Sequence, residues 1–316
     1  MRIKLSSQPQ EQNGNWLKYG GVILLGVVFL VFLGILLFSS VTVPALGGKC
    51  VGIVDLNQEI TTQSASPSLF STGSPGSEDI ANAIDNLNSR DDVGAVVFVV
   101  DSPGGSVVAT REIYDSVKGL KKPKVAYFRE VAASGAYYIS TGTDYIISDP
   151  DALTGSIGVI MTVSDLSGLF GKIGYNETAI KSGDEKDIGG YSRPMTDKDR
   201  QILQALVNEV FGEFKNIVIT NRGSRLDLAK FNEILDARVL SGRQAKEIGL
   251  VDALGTKKDA IKKAAALANI TDSEPKICTI STSPSAGGIF GATSMFRGML
   301  EGLLPQDAQK VSVKYE

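Results

Sequence analysis

One serine of this sequence, Ser134, stands where it could act as a nucleophile. It lies in a run of small residues, 132–138 (AASGAYY), at the predicted start of a helix. A serine in that position commonly serves as an N-cap, whose hydroxyl accepts hydrogen bonds from the amides of the first helical turn. It could also be a nucleophile, because the start of a helix supplies free amides and positive partial charge to a developing oxyanion. Taken alone, the run favours the N-cap.

The base that would activate such a serine cannot be a histidine, because the sequence contains none. This excludes a Ser-His-Asp triad, a Cys-His dyad and every His-ligated metal site. The base must then be Lys, Asp, Glu, Tyr or an amino terminus, and the polar run 181–187 (KSGDEKD) offers Lys181 and Lys186. A catalytic lysine has to be partly buried so that its amine is neutral, whereas acidic neighbours favour the charged form. The local sequence therefore predicts solvated lysines, and any burial has to come from the fold.

Two glycine-containing turns could complete such a site. Residues 101–105 (DSPGG) follow a predicted buried strand and open a helix, and Gly104 and Gly105 permit backbone geometries in which amides point into a cleft. That arrangement suits an oxyanion-stabilising loop. Residues 154–158 (TGSIG) place Ser156 between glycines, where its hydroxyl could orient a base. Both runs could equally be ordinary turns.

The composition narrows the class of protein. The chain has 316 residues, of which 43% are hydrophobic, with a net charge of −3 and a pI near 5.3. This suffices for a substantial core in one large or two modest domains, and the acidic balance argues against nucleic acid as a partner. The two cysteines, Cys50 and Cys278, are too few for a disulfide framework or a four-Cys zinc site. We expect two buried thiols, with a single disulfide as the alternative in an oxidising compartment.

The hydrophobic pattern predicts an α/β fold. Apolar runs alternate with helical patterns between residues 78 and 183, which is typical of βα units and a mostly parallel sheet. Thr196 and Asp199 predict an N-cap with an acidic variant of the capping box. The predicted strands cover residues 93–100, 124–128, 145–148, 157–163 and 178–180. The predicted helices cover residues 80–87, 107–120, 134–140, 196–219, 226–235, 242–248 and 257–268.

The N-terminal part predicts a membrane anchor. Residues 20–38 (GGVILLGVVFLVFLGILLF) carry no charge, and as a helix they would span about 28 Å, close to the hydrocarbon thickness of a bilayer. Basic residues precede this run and none follows until Lys49, so the positive-inside rule places residues 1–19 in the cytoplasm and the rest outside. A cleaved signal peptide is the alternative. A buried core helix is disfavoured because the run has no polar spacing.

The order of the motifs resembles the signal peptide peptidase A (protease IV) family. VFVVDSPGG is followed by AASGAYYIS, TGSIGVI, IKSGDEKDI and RVLSGRQAKEIGLVD, and the likeness covers residues 96–254. The resemblance implies a Clp-protease/crotonase-like fold, and the predicted N-terminal transmembrane helix suits the same family. We expect a protease domain at residues 49–270, followed by a C-terminal strand and a flexible tail at 271–316, because the residues from Ser281 onward are turn-rich. One departure is Ala136, where the family often has glycine.

The resemblance also implies a Ser–Lys dyad. Ser134 would be the nucleophile, and Lys186, rather than Lys181, would be the general base. Ser156 would hydrogen-bond the lysine and help to keep it neutral. A Ser–Lys pair is a recognised variant of the triad and is compatible with a chain that lacks histidine.

The family's activity is likewise an expectation for this chain. The amides of Gly105 and Gly135 would form an oxyanion hole, and the reaction would be acyl transfer without a cofactor. The substrates would be remnant signal peptides and other apolar, membrane-derived peptides. The protein would be a homo-oligomer, a ring or dome, in the cell membrane with an extracytoplasmic catalytic domain. Two alternatives are an acyl-CoA enzyme of the same fold, which would make no use of Lys186, and a catalytically silent membrane scaffold.

Overall fold

The computed structural model describes residues 48–65 and 73–282, in which eight strands and eight α-helices are present. The strands are β1 (Cys50–Leu56), β2 (Val93–Ser102), β3 (Lys124–Ala133), β4 (Tyr145–Ser148), β5 (Leu153–Gly155), β6 (Val239–Ser241), β7 (Ala253–Leu254) and β8 (Ile277–Thr279). The helices are α1 (Ser77–Asn86), α2 (Val107–Gly119), α3 (Gly135–Ser140), α4 (Ser167–Ile173), α5 (Asp197–Arg222), α6 (Leu228–Glu233), α7 (Gly242–Ile248) and α8 (Lys257–Leu267).

The strands form one mixed sheet that is mostly parallel, as the alternation of elements predicts. Its order is β6-β5-β3-β2-β1-β8, and β4 pairs with both β3 and β7. Every pair is parallel except β5 with β6. Strand β3 is branched, because Val125–Phe128 pair with β4 whereas Val131–Ala133 pair with β5. The end of β3 therefore lies where the sheet divides.

Both faces of the sheet are buried, which explains the continuous apolar run of β2. Val96, Phe98 and Val100 belong to the larger core cluster, which also contains apolar residues of α1 and α2. Their neighbours Ala95, Val97 and Val99 face the opposite side and share a second cluster with α8. Layers of helix on both sides are typical of parallel sheets. They hold the carboxyl ends of β2 and β3 rigidly.

A buried ion pair fixes the C-terminal end of the long helix α5. Arg222 donates to both carboxylate oxygens of Asp252, at 3.0 and 2.7 Å, and to the carbonyl of Gly249 at 2.9 Å. Asp252 also accepts from the amide of Ile146 in β4 at 2.7 Å. Because both charges are removed from water, loss of one partner would leave the other uncompensated. The pair therefore ties α5 to the sheet.

Most predicted elements are present, and two predicted strands are wrong. The long helix begins after Thr196, whose hydroxyl accepts from the amide of Asp199 while the carboxylate of Asp199 accepts from Thr196, so the capping box is confirmed. Residues 157–163 and 178–180 form no strand. Their apolar side chains resemble those of a buried strand, yet Ile160 is 87% and Ile180 100% exposed, because no neighbouring strand covers them. Strands β1, β5, β6 and β7 and helix α4 were not predicted.

The predicted anchor at residues 20–38 lies outside the described residues, as does the tail from residue 283. Within residues 48–65 and 73–282, no helix combines the length and the hydropathy needed to cross a bilayer.

The expectation of two buried thiols is wrong. Cys50, at the start of β1, and Cys278, in β8, form a disulfide across Cα atoms that lie 5.9 Å apart. The two residues are 228 positions apart in the sequence, so local spacing gave no indication that they meet. They do so because β8 pairs in parallel with β1 at the edge of the sheet.

We predict that this disulfide contributes about 2–5 kcal/mol to the free energy of unfolding, because it closes a very long loop in the unfolded chain. Denaturant titration should show that loss in a Cys50→Ala/Cys278→Ala double variant. A reductant should lower the melting temperature of the wild type but not of the variant. Titration of two free thiols in the denatured, unreduced wild type would contradict the prediction.

Candidate active site

Ser134 occupies a strained backbone position between β3 and α3. Its φ and ψ are 53° and −124°, a region that residues with a side chain seldom adopt. Its amide donates to the carbonyl of Gly155 at 3.0 Å, and its side chain makes no N-cap hydrogen bond to α3. The N-cap interpretation is therefore wrong. Strained residues of this kind cluster at functional sites, where the surrounding structure enforces the conformation.

Two adjacent glycines allow the loop after β2 to approach Ser134. Gly104 has a φ of 101°, and a Cβ there would lie 2.7 Å from the amide nitrogen of Gly135 and 2.9 Å from the Cβ of Ser134. A Cβ on Gly105 would lie 2.0 Å from the carbonyl oxygen of Ile60. A side chain at position 104 would collide with Ser134 and Gly135, and one at position 105 would collide with the backbone of Ile60.

The predicted oxyanion residues Gly105 and Gly135 lie with Ser134 around one cleft. Ile60 bridges this loop by donating to the carbonyl of Gly104 at 2.9 Å and accepting from the amide of Ser106 at 2.8 Å. Gly105 lies between the two residues that bond to Ile60, and in a parallel bridge the amide of such a residue points away from Ile60. Gly135 is the first residue of α3, so its amide has no acceptor within the helix. Neither the bridge to Ile60 nor the helix ladder of α3 uses these two amides.

The cleft beside Ser134 is mainly apolar. It encloses about 600 Å³ of space that includes open solvent. Val107 of α2 and Val210 and Phe214 of α5 contribute apolar walls, and Val159 continues the lining. Such a cleft suits an extended peptide with apolar side chains better than a charged metabolite.

Tyr138 lines the cleft but is not a candidate base. Its ring packs against Tyr114 and Phe214 with centroids 5.0 and 5.1 Å away. Burial raises the pKa of Tyr138 to about 12, and the nearby carboxylate of Glu213 acts in the same direction. The phenol therefore stays protonated at physiological pH.

Thr110 is a cleft residue that the motifs did not indicate. It lies in the first part of α2, lines the cleft, and is 5% exposed. A Cβ on Gly135 would lie 2.3 Å from its hydroxyl oxygen, so Thr110 explains why position 135 has to be glycine. A sequence signal did exist, because Thr110 is a polar residue on the apolar face that α2 presents through Ile113 and Val117.

A backbone hydrogen bond places Ser156 close to Ser134. It follows Gly155, the acceptor of the Ser134 amide, and its own amide donates to the carbonyl of Arg238 at 3.0 Å. Its φ of 49° is also left-handed. Ser156 is half-buried and is not among the described residues that line the cleft.

Lys186 is not brought into this cleft by the described part of the chain. It lies in a series of turns at residues 184–189, within a segment that we call the arm (residues 157–195), and its side chain is exposed. Lys181 is engaged elsewhere, because its amine donates to Asp187 at 2.8 Å and to the carbonyl of Asp184 at 2.7 Å. Glu185 pairs with Lys198 at 2.8 Å. Two acidic neighbours of Lys186 thus face other cations.

A cluster of charged residues joins the arm to the start of α5. Arg193 donates to Asp187 at 2.8 Å and to Asp199 at 2.5 Å, and the amide of Thr196 donates to Asp199 at 3.0 Å. Together with Lys181, the residues Asp187, Arg193 and Asp199 form what we call the arm clamp. Hydrogen bonds from Arg193 lower the pKa of both Asp187 and Asp199 well below the ordinary value. The clamp fixes the chain immediately after Lys186.

Two models of protein families match the chain. Peptidase family S49 matches residues 117–271, and the Clp protease family matches residues 71–147. Ser134 lies in the stretch that both match, and Lys186 lies in the S49 match. The Clp protease match agrees with the mixed α/β sheet.

Related proteins extend the similarity over most of the chain. A Methanocaldococcus jannaschii protein named as a protease is 36% identical over 275 residues, which is 86% of this chain and 87% of that protein. An Enterococcus faecium protein named as signal peptide peptidase SppA is 32% identical over 65% of this chain and 60% of its own length. Protease 4 of Salmonella typhi is 30% identical over 73% of this chain but 37% of its own length.

We predict that the arm clamp stabilises the fold in a pH-dependent way. Because the pKa of Asp199 is lower in the folded than in the unfolded protein, its contribution is complete above about pH 5 and is lost as the pH falls below about 4. The difference in melting temperature between wild type and Asp199→Asn should therefore stay constant from pH 8 to 5 and narrow below.

Asp184→Asn is the matched control, since Asp184 lies in the same arm and contacts Lys181 through its carbonyl rather than its carboxylate. This variant should melt close to the wild type throughout the pH series. A difference for Asp199→Asn that persists unchanged to pH 3 would contradict the role of its carboxylate.

Proposed function

Since the chain belongs to peptidase family S49, the family of signal peptide peptidase A, and is therefore a serine protease, we propose that Ser134 and Lys186 form its catalytic dyad. The observation that carries the role of Ser134 is its backbone. A left-handed serine whose hydroxyl makes no cap, next to two available amides in an apolar cleft, has the features that a nucleophile requires.

The proposed reaction is acyl transfer. Neutral Lys186 removes the proton of the Ser134 hydroxyl, whose oxygen attacks a peptide carbonyl carbon. The amides of Gly105 and Gly135 donate to the oxyanion of the tetrahedral intermediate. Collapse breaks the C–N bond, and Lys186 protonates the leaving amine. Water then attacks the acyl-enzyme carbonyl carbon and gives a proton to Lys186. The bond from the acyl carbon to the Ser134 oxygen breaks, Lys186 passes the proton to that oxygen, and the acid leaves with neutral Lys186 and Ser134 restored.

The exposed position of Lys186 makes a homo-oligomer part of this proposal. A lysine base has to be shielded from water to be neutral, and in one chain Lys186 lies on the exposed arm, outside the lining of the cleft. The same arm exposes Ile160, Ile173 and Ile180. Contiguous exposed apolar surface is typical of interaction sites, and we infer that these side chains contribute to one. We propose that a second copy covers the arm and that Lys186 of one copy serves Ser134 of another.

Membrane attachment and substrate class are further parts of the proposal. The apolar residues 20–38, preceded by basic residues, support a single-pass anchor with the catalytic domain outside the cytoplasm. The disulfide supports the same placement, because disulfides persist mainly in oxidising compartments. The apolar cleft supports remnant signal peptides and similar apolar peptides as substrates.

We predict that Ser134→Ala and Lys186→Ala each lower kcat at least about 10⁴-fold, because each removes a group that acts in bond cleavage. Hydrolysis of an apolar peptide by the full chain in detergent is the measurement. Lys181→Ala is the matched control and should retain activity. Full activity in Lys186→Ala would overturn the proposed base. An inactive wild type that a fluorophosphonate fails to label at Ser134 would instead favour the silent scaffold.

Mixing the two inactive variants tests whether the dyad is shared between copies. If Lys186 acts on a neighbour, co-assembly of Ser134→Ala with Lys186→Ala should restore part of the wild-type activity, since some interfaces then contain both native residues. Neither variant alone should gain activity on dilution and reassembly. Efficient mixing, verified by native mass spectrometry, with no recovered activity would place both residues of each dyad in one chain.

A further inference from the structure

The cleft beside Ser134 is continued by a second pocket between the arm and α5. On the arm, Ile160 lines the cleft, and the next residue, Met161, lines the second pocket. On α5, Val210 lines the cleft and Val207 lines the second pocket. The second pocket holds about 1030 Å³ of space that includes open solvent. The arm and α5 therefore form the two walls of one groove that starts at Ser134.

A single stripe of α5 lines this groove along its length. The residues of the stripe are three or four positions apart, which places them on the same side of a helix. They are Phe214, Val210, Val207, Leu203 and Arg200. Phe214 is buried, the next three are half-buried, and Arg200 is exposed. The apolar stripe thus ends in a cation at the far end of the groove.

The groove has the length of a short extended peptide. Arg200 and Val210 are ten positions apart in α5, and a helix rises about 1.5 Å per residue, so they are separated by about 15 Å. An extended peptide advances about 3.3 Å per residue. A peptide whose reacting carbonyl lies at Ser134 can therefore place a side chain beside Arg200 about four to six residues away.

Arg200 differs from the other charged side chains that line the second pocket. Arg193 belongs to the arm clamp, and Asp165 accepts from the amide and the hydroxyl of Ser167 at 2.9 and 2.6 Å. Within the described part of the chain, the guanidinium of Arg200 has no hydrogen bond or ion pair. Its long side chain is exposed and can turn toward a ligand. A guanidinium pairs best with a carboxylate, because its planar donors match the two oxygens.

We propose that this groove is a distal binding site for the peptide substrate, in which Arg200 recognises a carboxylate about four to six residues from the cleaved bond. The carboxylate is an acidic side chain or the C-terminus of the peptide, which share the same chemistry. The inference rests on the proposed function and adds selection by charge to an otherwise apolar site. A peptide is favoured over a second copy as the occupant, because the groove opens directly from the cleft in which the reacting bond has to lie.

The distance from Ser134 determines which kinetic constant should change. Arg200 lies far from the reacting carbonyl, so its contact with the peptide is the same in the bound substrate and in the transition state. Loss of such a contact raises KM and leaves kcat unchanged. Because the guanidinium is exposed, its contribution should be modest and should decrease as the salt concentration rises.

The test compares internally quenched apolar peptides that carry either Glu or Gln at one position, four, five or six residues from the cleaved bond on either side. Product masses identify the bond that is cut. The full chain in detergent is assayed as wild type, Arg200→Gln and Arg200→Lys. The control is Lys198→Gln, which removes a nearby cation that pairs with Glu185 and does not line the pocket.

At one or more of these positions, wild type should prefer the Glu peptide over the Gln peptide by about threefold or more in kcat/KM. The preference should disappear in Arg200→Gln, persist in part in Arg200→Lys and remain in Lys198→Gln. Peptides that end at the preferred position with a free carboxylate or with an amide distinguish the two sources. A preference for the free carboxylate that Arg200→Gln abolishes assigns the site to a C-terminus, whereas a preference for internal Glu alone assigns it to an acidic side chain.

Two further measurements separate recognition of the peptide from a structural role. A peptide too short to reach Arg200 should be cleaved equally by wild type and Arg200→Gln, and loss of that activity would overturn the inference. Leu203→Gln should lower kcat/KM for the long peptides without changing the subunit number in native mass spectrometry. A lower subunit number would show that a second copy covers the groove, which would also overturn the inference.

These outcomes differ from a failure of the proposed function. A wild type that cleaves no peptide and is not labelled at Ser134 by a fluorophosphonate would overturn the serine protease site, and the distal site with it. An active, labelled wild type whose Glu and Gln peptides are cleaved equally at every position would overturn the distal site alone.

Discussion

The left-handed backbone at Ser134 is the constraint on which the rest of the site depends. A non-glycine residue stays in that conformation only if its surroundings enforce it. The carbonyl of Gly155 holds the Ser134 amide, and Gly104 packs against its Cβ. Each neighbour belongs to a different element: β5 contributes Gly155, and the loop after β2 contributes Gly104. Because β3 lies between β2 and β5 in the sheet, their pairing brings these glycines to the serine.

In the proposed mechanism, Ser134 and the amides of Gly105 and Gly135 lie at the sheet, whereas Lys186 lies on the arm. The sheet is covered on both faces, so Ser134 and the loop after β2 adjoin a well-packed part of the fold. The arm is different, since its helix α4 has no buried residue. Segments with few buried contacts open at low free-energy cost, and the arm clamp limits this by tying Arg193 to α5. A base carried on such a segment can be ordered by assembly.

Much of the fold was predictable, because local patterns and buried faces agree there. The apolar run of β2 and the capping box at Thr196 each specify their element. The same reasoning failed at residues 157–163, whose apolar pattern pairs with no strand among residues 48–65 and 73–282. It also failed for Cys50 and Cys278, since the pairing of β1 with β8 is a long-range property. For Ser134, local chemistry favoured a cap, whereas the order of several motifs predicted a nucleophile, and that role stays a prediction.

The ionisable side chains that line the cleft also favour a base that comes from outside it. Its described lining includes three side chains that titrate: Arg111 and Glu213, which neutralise each other, and Tyr138, whose pKa of about 12 keeps it protonated. Glu213 is engaged by Arg111 and the Tyr138 phenol is protonated, so neither is well suited to take the serine proton. Histidine is absent from the whole sequence, and Lys181 is bound to Asp187. The cleft thus contains Ser134, Gly105 and Gly135, to which the proposed mechanism assigns the nucleophile and the oxyanion amides, but its described lining includes no lysine. In the proposed oligomer, burial of Lys186 from a second copy would favour the neutral amine and exclude water from the cleft. Assembly of the oligomer would therefore also activate the enzyme.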